Sequence, residues 1–158
     1  MRLTTYKTLQ EKINNNTYIE LVKESAHNYA HIEKTISSSE SIYDLGKEMG
    51  LHKLPVEEVH IFAVSTKLTI IGHVLLSKGA INASIVSPAE VFKPLLLMNA
   101  AGFIMIHNHP SGDTTPSTED INVTKRLNQC AELFGIKLID HIIISDKDYY
   151  SMKSEGII

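Results

Sequence analysis

The chain has a single cysteine, Cys130, and no tryptophan. One thiol cannot close an intramolecular disulfide, and it suits a reducing compartment. It also excludes a zinc site built from cysteines, so any zinc here must be held by histidine and carboxylate. No run approaches the roughly 20 apolar residues that span a bilayer. The opening stretch MRLTTYKTLQEKINNN lacks the apolar core of a secretory signal, so the expected location is the cytoplasm. Basic residues are not in excess: 15 Lys and Arg against 18 Asp and Glu give a formal charge of −3. Proteins that live on nucleic acid usually displace counterions with a basic surface. Composition therefore leans away from DNA or RNA as the main partner.

What is present is the balance of an ordinary globular chain, 43% hydrophobic and 21% charged over 158 residues. That is enough for one domain with a proper core and a short appendage. Residues 1 to about 16, ending in Asn14-Asn15-Asn16, read as a polar, loosely held arm. Alternation of Tyr18, Glu20 and Val22 with Ile19 and Leu21 suggests a short strand. Helix-start residues at 37–39 precede Ile42, Leu45 and Met49 at helical spacing, and Gly50 stops the run. These observations divide the chain into an N-terminal arm and helix, residues 1–54, and a compact domain, residues 55–158.

In the compact part, 59–64 is a mostly apolar strand that turns at 65–68 into a second strand at 69–76, a hairpin. Ser87-Pro88-Ala89-Glu90 is a helix start: Ser87 accepts from first-turn amides, Pro88 presets φ, and Glu90 would complete a capping box. That helix should reach about Asn99 with a bend at Pro94. Residues 103–106 are a wholly apolar run, the mark of a buried central strand. Ser117-Thr118-Glu119-Asp120 opens a helix whose inward stripe would be Ile121, Thr124, Leu127, Ala131 and Phe134, ended by Gly135. Residues 136–144 form a last strand interrupted by Asp140-His141. Strands alternate with helices, so the class is α/β or α+β, in two or three layers.

The central strand delivers the chain into HNHPSGDTTPSTED, residues 107–120. His107 and His109 alternate with Asn108 and project from one face. Backbones roughly 6–7 Å apart let two imidazoles converge on one ion, with zinc–nitrogen bonds near ~2.0–2.1 Å. Pro110, Gly112 and Pro116 return the chain to the same place, where Asp120, in the first turn of the next helix, can be a third ligand. Three protein ligands leave a fourth position for water, which separates a catalytic zinc from a structural one. Glu57 and Glu58 start the 59–64 strand as candidate bases, and only one of them can face the site. Ser117 is placed to bond a developing oxyanion.

Each feature also has a plainer explanation. A lone His-x-His occurs often by chance, Ser117 and Asp120 form a capping pair, and adjacent glutamates usually sit at a solvated strand end. His27, His31, His52, His60 and His73 have no partner spacing and read as surface or structural. His141, inside an apolar strand, must be satisfied by something, such as contacts behind a metal ligand.

The combination is far more specific than its parts. His107-x-His109, seven residues, Ser117, two residues, Asp120, with a glutamate upstream, resembles the JAMM (MPN-plus) metal motif. HNHPSGD, PSTED, Thr124-Lys125-Arg126-Leu127, Phe134-Gly135-Ile136 and Leu138-Ile139-Asp140-His141-Ile142-Ile143 are similar to the RadC family. So are Asn82-Ala83-Ser84 and Pro88-Ala89-Glu90-Val91-Phe92. The likeness runs over about residues 55–151.

The resemblance implies a JAMM/MPN-like mixed β-sheet flanked by helices, with cytidine-deaminase-like layering. It implies Zn2+ held by His107, His109 and Asp120, with Glu57 as general acid/base and Ser117 supporting the oxyanion. The family places its glutamate eight residues before the strand's end, which selects Glu57 over Glu58, although Ser65 stands where an aspartate is usual. Residues 1–54 hold no paired glycine hairpins, so they are not expected to form the helix-hairpin-helix module that precedes the domain in full-length RadC proteins.

The expected function is a zinc-dependent hydrolase of amide or isopeptide bonds acting on a peptide or protein. One rival is a RadC-type DNA repair or mobile-element accessory protein, which the acidic balance and the missing stacking platform disfavour. His107-Asn108-His109 is not an HNH nuclease motif, which draws its residues from separated elements. A second rival is a non-catalytic interaction domain, against which the intact ligand set argues.

Overall fold

A computed structural model describes residues 1–14, 16–30, 32–79 and 86–158. Asn15, His31 and the Asn82-Ala83-Ser84 segment lie outside the described residues.

In chain order the elements are β1 (Arg2–Ile13), β2 (Asn16–Asn28), α1 (Ser39–Glu48), a 3₁₀ turn (Leu51–Lys53), β3 (Glu58–Val64), β4 (Ile70–Lys78), α2 (Pro88–Leu97), β5 (Gly102–Asn108), α3 (Thr118–Phe134), β6 (Lys137–Ile144) and β7 (Tyr149–Ser151). The strands make one seven-stranded mixed sheet ordered β2-β1-β4-β3-β5-β6-β7. The pairs β1/β4 and β5/β6 are parallel, and the remaining neighbours are antiparallel. This is the mixed, helix-flanked sheet expected of the class.

Strand alternation sorts side chains into two cores. Val59, Ile61, Ala63, Phe103, Met105 and Leu138 face α2 and α3, where they meet Val91, Phe92, Leu95, Val123 and Leu127. Phe62, Val64, Ile104, Ile106, Ile142 and Ile144 face the other way, onto Ile42 and Leu45 of α1. The result is three layers. β3 and β5 sit centrally and are buried at every position, as their near-continuous apolar runs require.

The N-terminal segment differs from the expected loose arm. Residues 2–13 are β1, and the short strand expected at 18–22 is part of the 13-residue β2. Asn14 takes a positive φ of 49° at the hairpin turn, a conformation that asparagine tolerates. Thr5 pairs with His73 of β4, Leu3 is buried, and the terminal amine bonds the Tyr29 and Ile32 carbonyls. Cross-strand pairing thus orders a stretch too polar to announce itself.

Two helices differ in detail from expectation. In α2, Ser87 accepts from Glu90 N–H at 3.3 Å, while the Glu90 carboxylate is engaged by Lys93 at 2.6 Å. The buried stripe of α3 is Asp120, Val123, Thr124, Leu127 and Ala131. Phe134 is largely exposed and stacks on Phe92 with centroids 4.8 Å apart.

Candidate metal centre

β5 runs to Asn108, so His107 is its penultimate residue and His109 follows its end. Val59 pairs with His107 across the antiparallel β3/β5 ladder, and Glu57, two residues before Val59, shares that face. α3 brings its first turn to the same place. One donor atom from each of Glu57, His107, His109 and Asp120 lies within 4.8 Å of the others. His107 Nε2 is 3.0 Å from His109 Nε2, 3.5 Å from Asp120 Oδ1 and 3.7 Å from Glu57 Oε1. His109 Nε2 is 3.7 Å from Asp120 Oδ2.

Two imidazole nitrogens and two carboxylates aimed at one point are a donor set that suits a divalent cation such as zinc. The His107 and Asp120 side chains are 0% and 2% exposed, whereas those of His109 and Glu57 are 16% and 20% exposed. The cluster therefore has a dry floor and an open rim formed by Glu57 and His109.

Glu58, by strand alternation, points to the opposite face. Its carboxylate meets Lys78 Nζ at 2.9 Å and lies 3.4 Å from His60 Nε2. His60 in turn bonds His73 at 2.9 Å, and His73 bonds Thr5 at 2.9 Å. These two histidines are buried members of a polar line linking β3, β4 and β1.

Ser117 is the N-cap of α3 and closes a capping box with Asp120. Its N–H and hydroxyl donate to Asp120 Oδ2 at 2.7 and 2.6 Å. Burial pushes the Asp120 carboxyl up. The neighbouring His109 and His107 and the two Ser117 donors outweigh that and hold it below the ordinary carboxylate range. Asp120 and the Asp113 carbonyl together raise His109. Burial, reinforced by His141, pushes His107 well down, so it is neutral and its ring is available as a ligand.

His109 Nδ1 donates to the Asp113 carbonyl at 2.6 Å. A carbonyl can only accept, so Nδ1 carries a hydrogen and Nε2 is the nitrogen that faces the cluster. His107 Nδ1 instead meets His141 Nε2 at 2.7 Å, and His141 Nδ1 meets Thr124 Oγ1 at 2.5 Å. His141 reaches this face because of a register shift. Phe103 pairs with Leu138 but Ile104 pairs with Asp140, so Ile139 is bulged out of the ladder. One extra residue inverts the alternation. His141 then pairs with Met105 on the α3 side, and Asp140 turns to the α1 side, where Ser39 and Ser151 donate to it at 2.8 and 2.6 Å.

Reading the motif missed Asn108. It is buried between the two histidines and faces away from them. Its Oδ1 accepts from Glu58 N–H at 2.8 Å, and its Nδ2 donates to Leu54 and Val56 carbonyls at 3.3 and 3.1 Å. One side chain thus grips the peptide groups on both sides of Glu57. Its position inside His-x-His, at a strand end, was the only sequence signal.

Among the described residues no helix is long and apolar enough to cross a membrane. A family model for the RadC-like JAB domain matches residues 36–157. The chain is 39% identical over 138 residues to a UPF0758 protein of Thermotoga maritima, covering 87% of this chain and 61% of that protein. A UPF0758 protein of Desulfitobacterium hafniense is 39% identical over 140 residues, 89% of this chain and 61% of its own length. One from Clostridium beijerinckii is 43% identical over 108 residues, 68% of this chain and 47% of its own length. The chain therefore spans between about half and three-fifths of the curated relatives it matches.

Proposed function

The chain belongs to the RadC family, whose RadC-like JAB domain covers most of it, and from that premise we propose that it is a zinc-dependent hydrolase of the JAMM type, cleaving an amide or isopeptide bond in a peptide or protein. The observation that carries this reading is the convergence of Glu57, His107, His109 and Asp120 within 4.8 Å at a rim open on one side.

In this reading His107, His109 and Asp120 hold the ion. Bound zinc supplies a Lewis acid that acidifies water and polarises a carbonyl. Glu57, at the exposed rim, takes the proton of the attacking water and returns it to the leaving amine, a role typically worth about 10²–10⁴-fold. The buried His107 and Asp120 keep solvent from the inner side, where charges interact more strongly than in water. Ser117 supports the oxyanion, for which its hydroxyl must turn away from Asp120 while its N–H keeps the carboxylate in place. Removing such a donor typically costs about 3–4 kcal/mol of transition-state stabilisation.

The test is zinc content, together with cleavage of peptide and isopeptide panels with and without chelator. Glu57→Ala should keep zinc and lose turnover, whereas His109→Ala should lose both. Wild-type protein that takes up no stoichiometric zinc overturns the scheme. Loss of zinc in Glu57→Ala would make Glu57 a ligand rather than the base.

A further inference from the structure

Resting on the metal-site reading above, we propose that Thr124 and His141 are positioning residues that set the tautomer of His107, through a one-way hydrogen-bond relay ending on the backbone of Asp120. His109 needs no such device, because a carbonyl, which can only accept, faces its Nδ1. His107 has a second imidazole in that place. A neutral imidazole either donates or accepts at a given nitrogen, so the contact alone does not say which nitrogen of His107 carries the proton. If it were Nε2, an N–H would point into the cluster and His107 would not ligate.

Thr124 resolves the ambiguity. Its Oγ1 lies 2.6 Å from the Asp120 carbonyl oxygen and 2.5 Å from His141 Nδ1. Neither that carbonyl nor the Met152 sulfur, 3.1 Å from the same hydroxyl, has a proton to give. The single hydroxyl proton of Thr124 therefore goes to that side, where the carbonyl is the nearer and stronger acceptor. Thr124 Oγ1 then accepts at His141, and His141 carries its proton on Nδ1. His141 Nε2 is left with a lone pair and accepts from His107 Nδ1 at 2.7 Å. His107 Nε2 is thereby free of hydrogen and faces Glu57, His109 and Asp120.

Every member is in place for a reason. Thr124 sits one helical turn after Asp120, the spacing at which a threonine hydroxyl reaches the carbonyl four residues back. His141 is on this face only through the bulge at Ile139. The relay starts at one candidate ligand and returns to the backbone of another, so the orientation of His107 and the placement of the first turn of α3 are coupled. His107, Thr124 and His141 are all 0% exposed, so bulk water does not substitute for a missing partner.

The test uses the full chain. Nitrogen-15 NMR of the metal-free wild type should show His107 as the Nδ1–H tautomer, and His141 likewise. Thr124→Val keeps the shape but removes the hydroxyl. His141 then has no acceptor at Nδ1, its proton is favoured on Nε2, and His107 is driven to carry hydrogen on Nε2. Zn2+ affinity, measured by competition with a chromophoric chelator, should fall about 10–100-fold, and Thr124→Ser should restore it. A folded Thr124→Val that binds zinc like wild type overturns the proposal, as does an Nε2–H tautomer for His107 in the wild type. Should the wild type bind no zinc, the hydrolase reading falls, while the NMR tautomers still decide the relay.

Discussion

Asn108→Ala separates the scaffold of the site from its chemistry. The Asn108 amide makes three bonds, to Glu58 N–H and to the Leu54 and Val56 carbonyls, in a position that is 1% exposed. Alanine leaves that N–H and two carbonyls without this partner. One buried polar group left unmet costs about 1–3 kcal/mol, and carbonyls with a second lone pair suffer less. The expected loss of stability is therefore about 2–4 kcal/mol, at the upper end for a single substitution. The effect on function has a separate origin, because both peptide groups flanking Glu57 are held by this one amide. Displacing a reacting group by about 1 Å can cost about 10²-fold, so turnover should fall to that extent. Zinc affinity should change little, because the two histidines and Asp120 hang on β5 and α3. Urea denaturation gives the first quantity, chelator competition the second, and peptide cleavage the third. Asn108→Asp keeps the volume, replaces two donors with an acceptor against carbonyls, and should behave at least as badly. Stability of Asn108→Ala within about 0.5 kcal/mol of wild type, the range of ordinary surface changes, would refute the clamp.

Acid should destabilise the fold from the other face of the sheet. Burial, with His60 beside it, lowers His73 to about 3. It is neutral when folded, whereas the unfolded chain takes a proton below about pH 6.5. Stability present above that value is lost as pH falls, by about 2 kcal/mol from pH 7 to pH 5 for this group alone. His60, lowered to about 4 chiefly by burial, acts in the same direction. Urea midpoints should drop between pH 7 and pH 5, and His73→Gln should flatten that dependence; a flat wild-type profile contradicts the account. Gly102→Ala addresses close packing between β5 and β6, since an added Cβ would lie 2.9 Å from the Lys137 carbonyl oxygen. Backbone cannot swing aside as a side chain does, so thermal unfolding should report about 1–3 kcal/mol of destabilisation. An unchanged melting temperature would count against that contact.

The local signals in the chain were sufficient to place β3, β5, α2 and α3, because each has a strong pattern of its own: a mostly or wholly apolar run, or a cap followed by helical spacing. Spacing along one strand end and one helix start also names His107, His109, Ser117 and Asp120 as neighbours, since a short loop joins the two elements. Pairing between distant segments left no such trace. The β1/β2 hairpin is nearly as polar as a loop and becomes ordered through its ladder and its attachment beside His73. Glu57 reaches the cluster because the β3/β5 register aligns Val59 with His107, and a slip of one residue would have presented Glu58. His141 faces the site because of a single bulged residue. Side-chain chemistry and short-range spacing were thus written in the amino-acid order. Which groups stand behind the candidate ligands was decided by strand register, a property of two segments at once that neither carries alone.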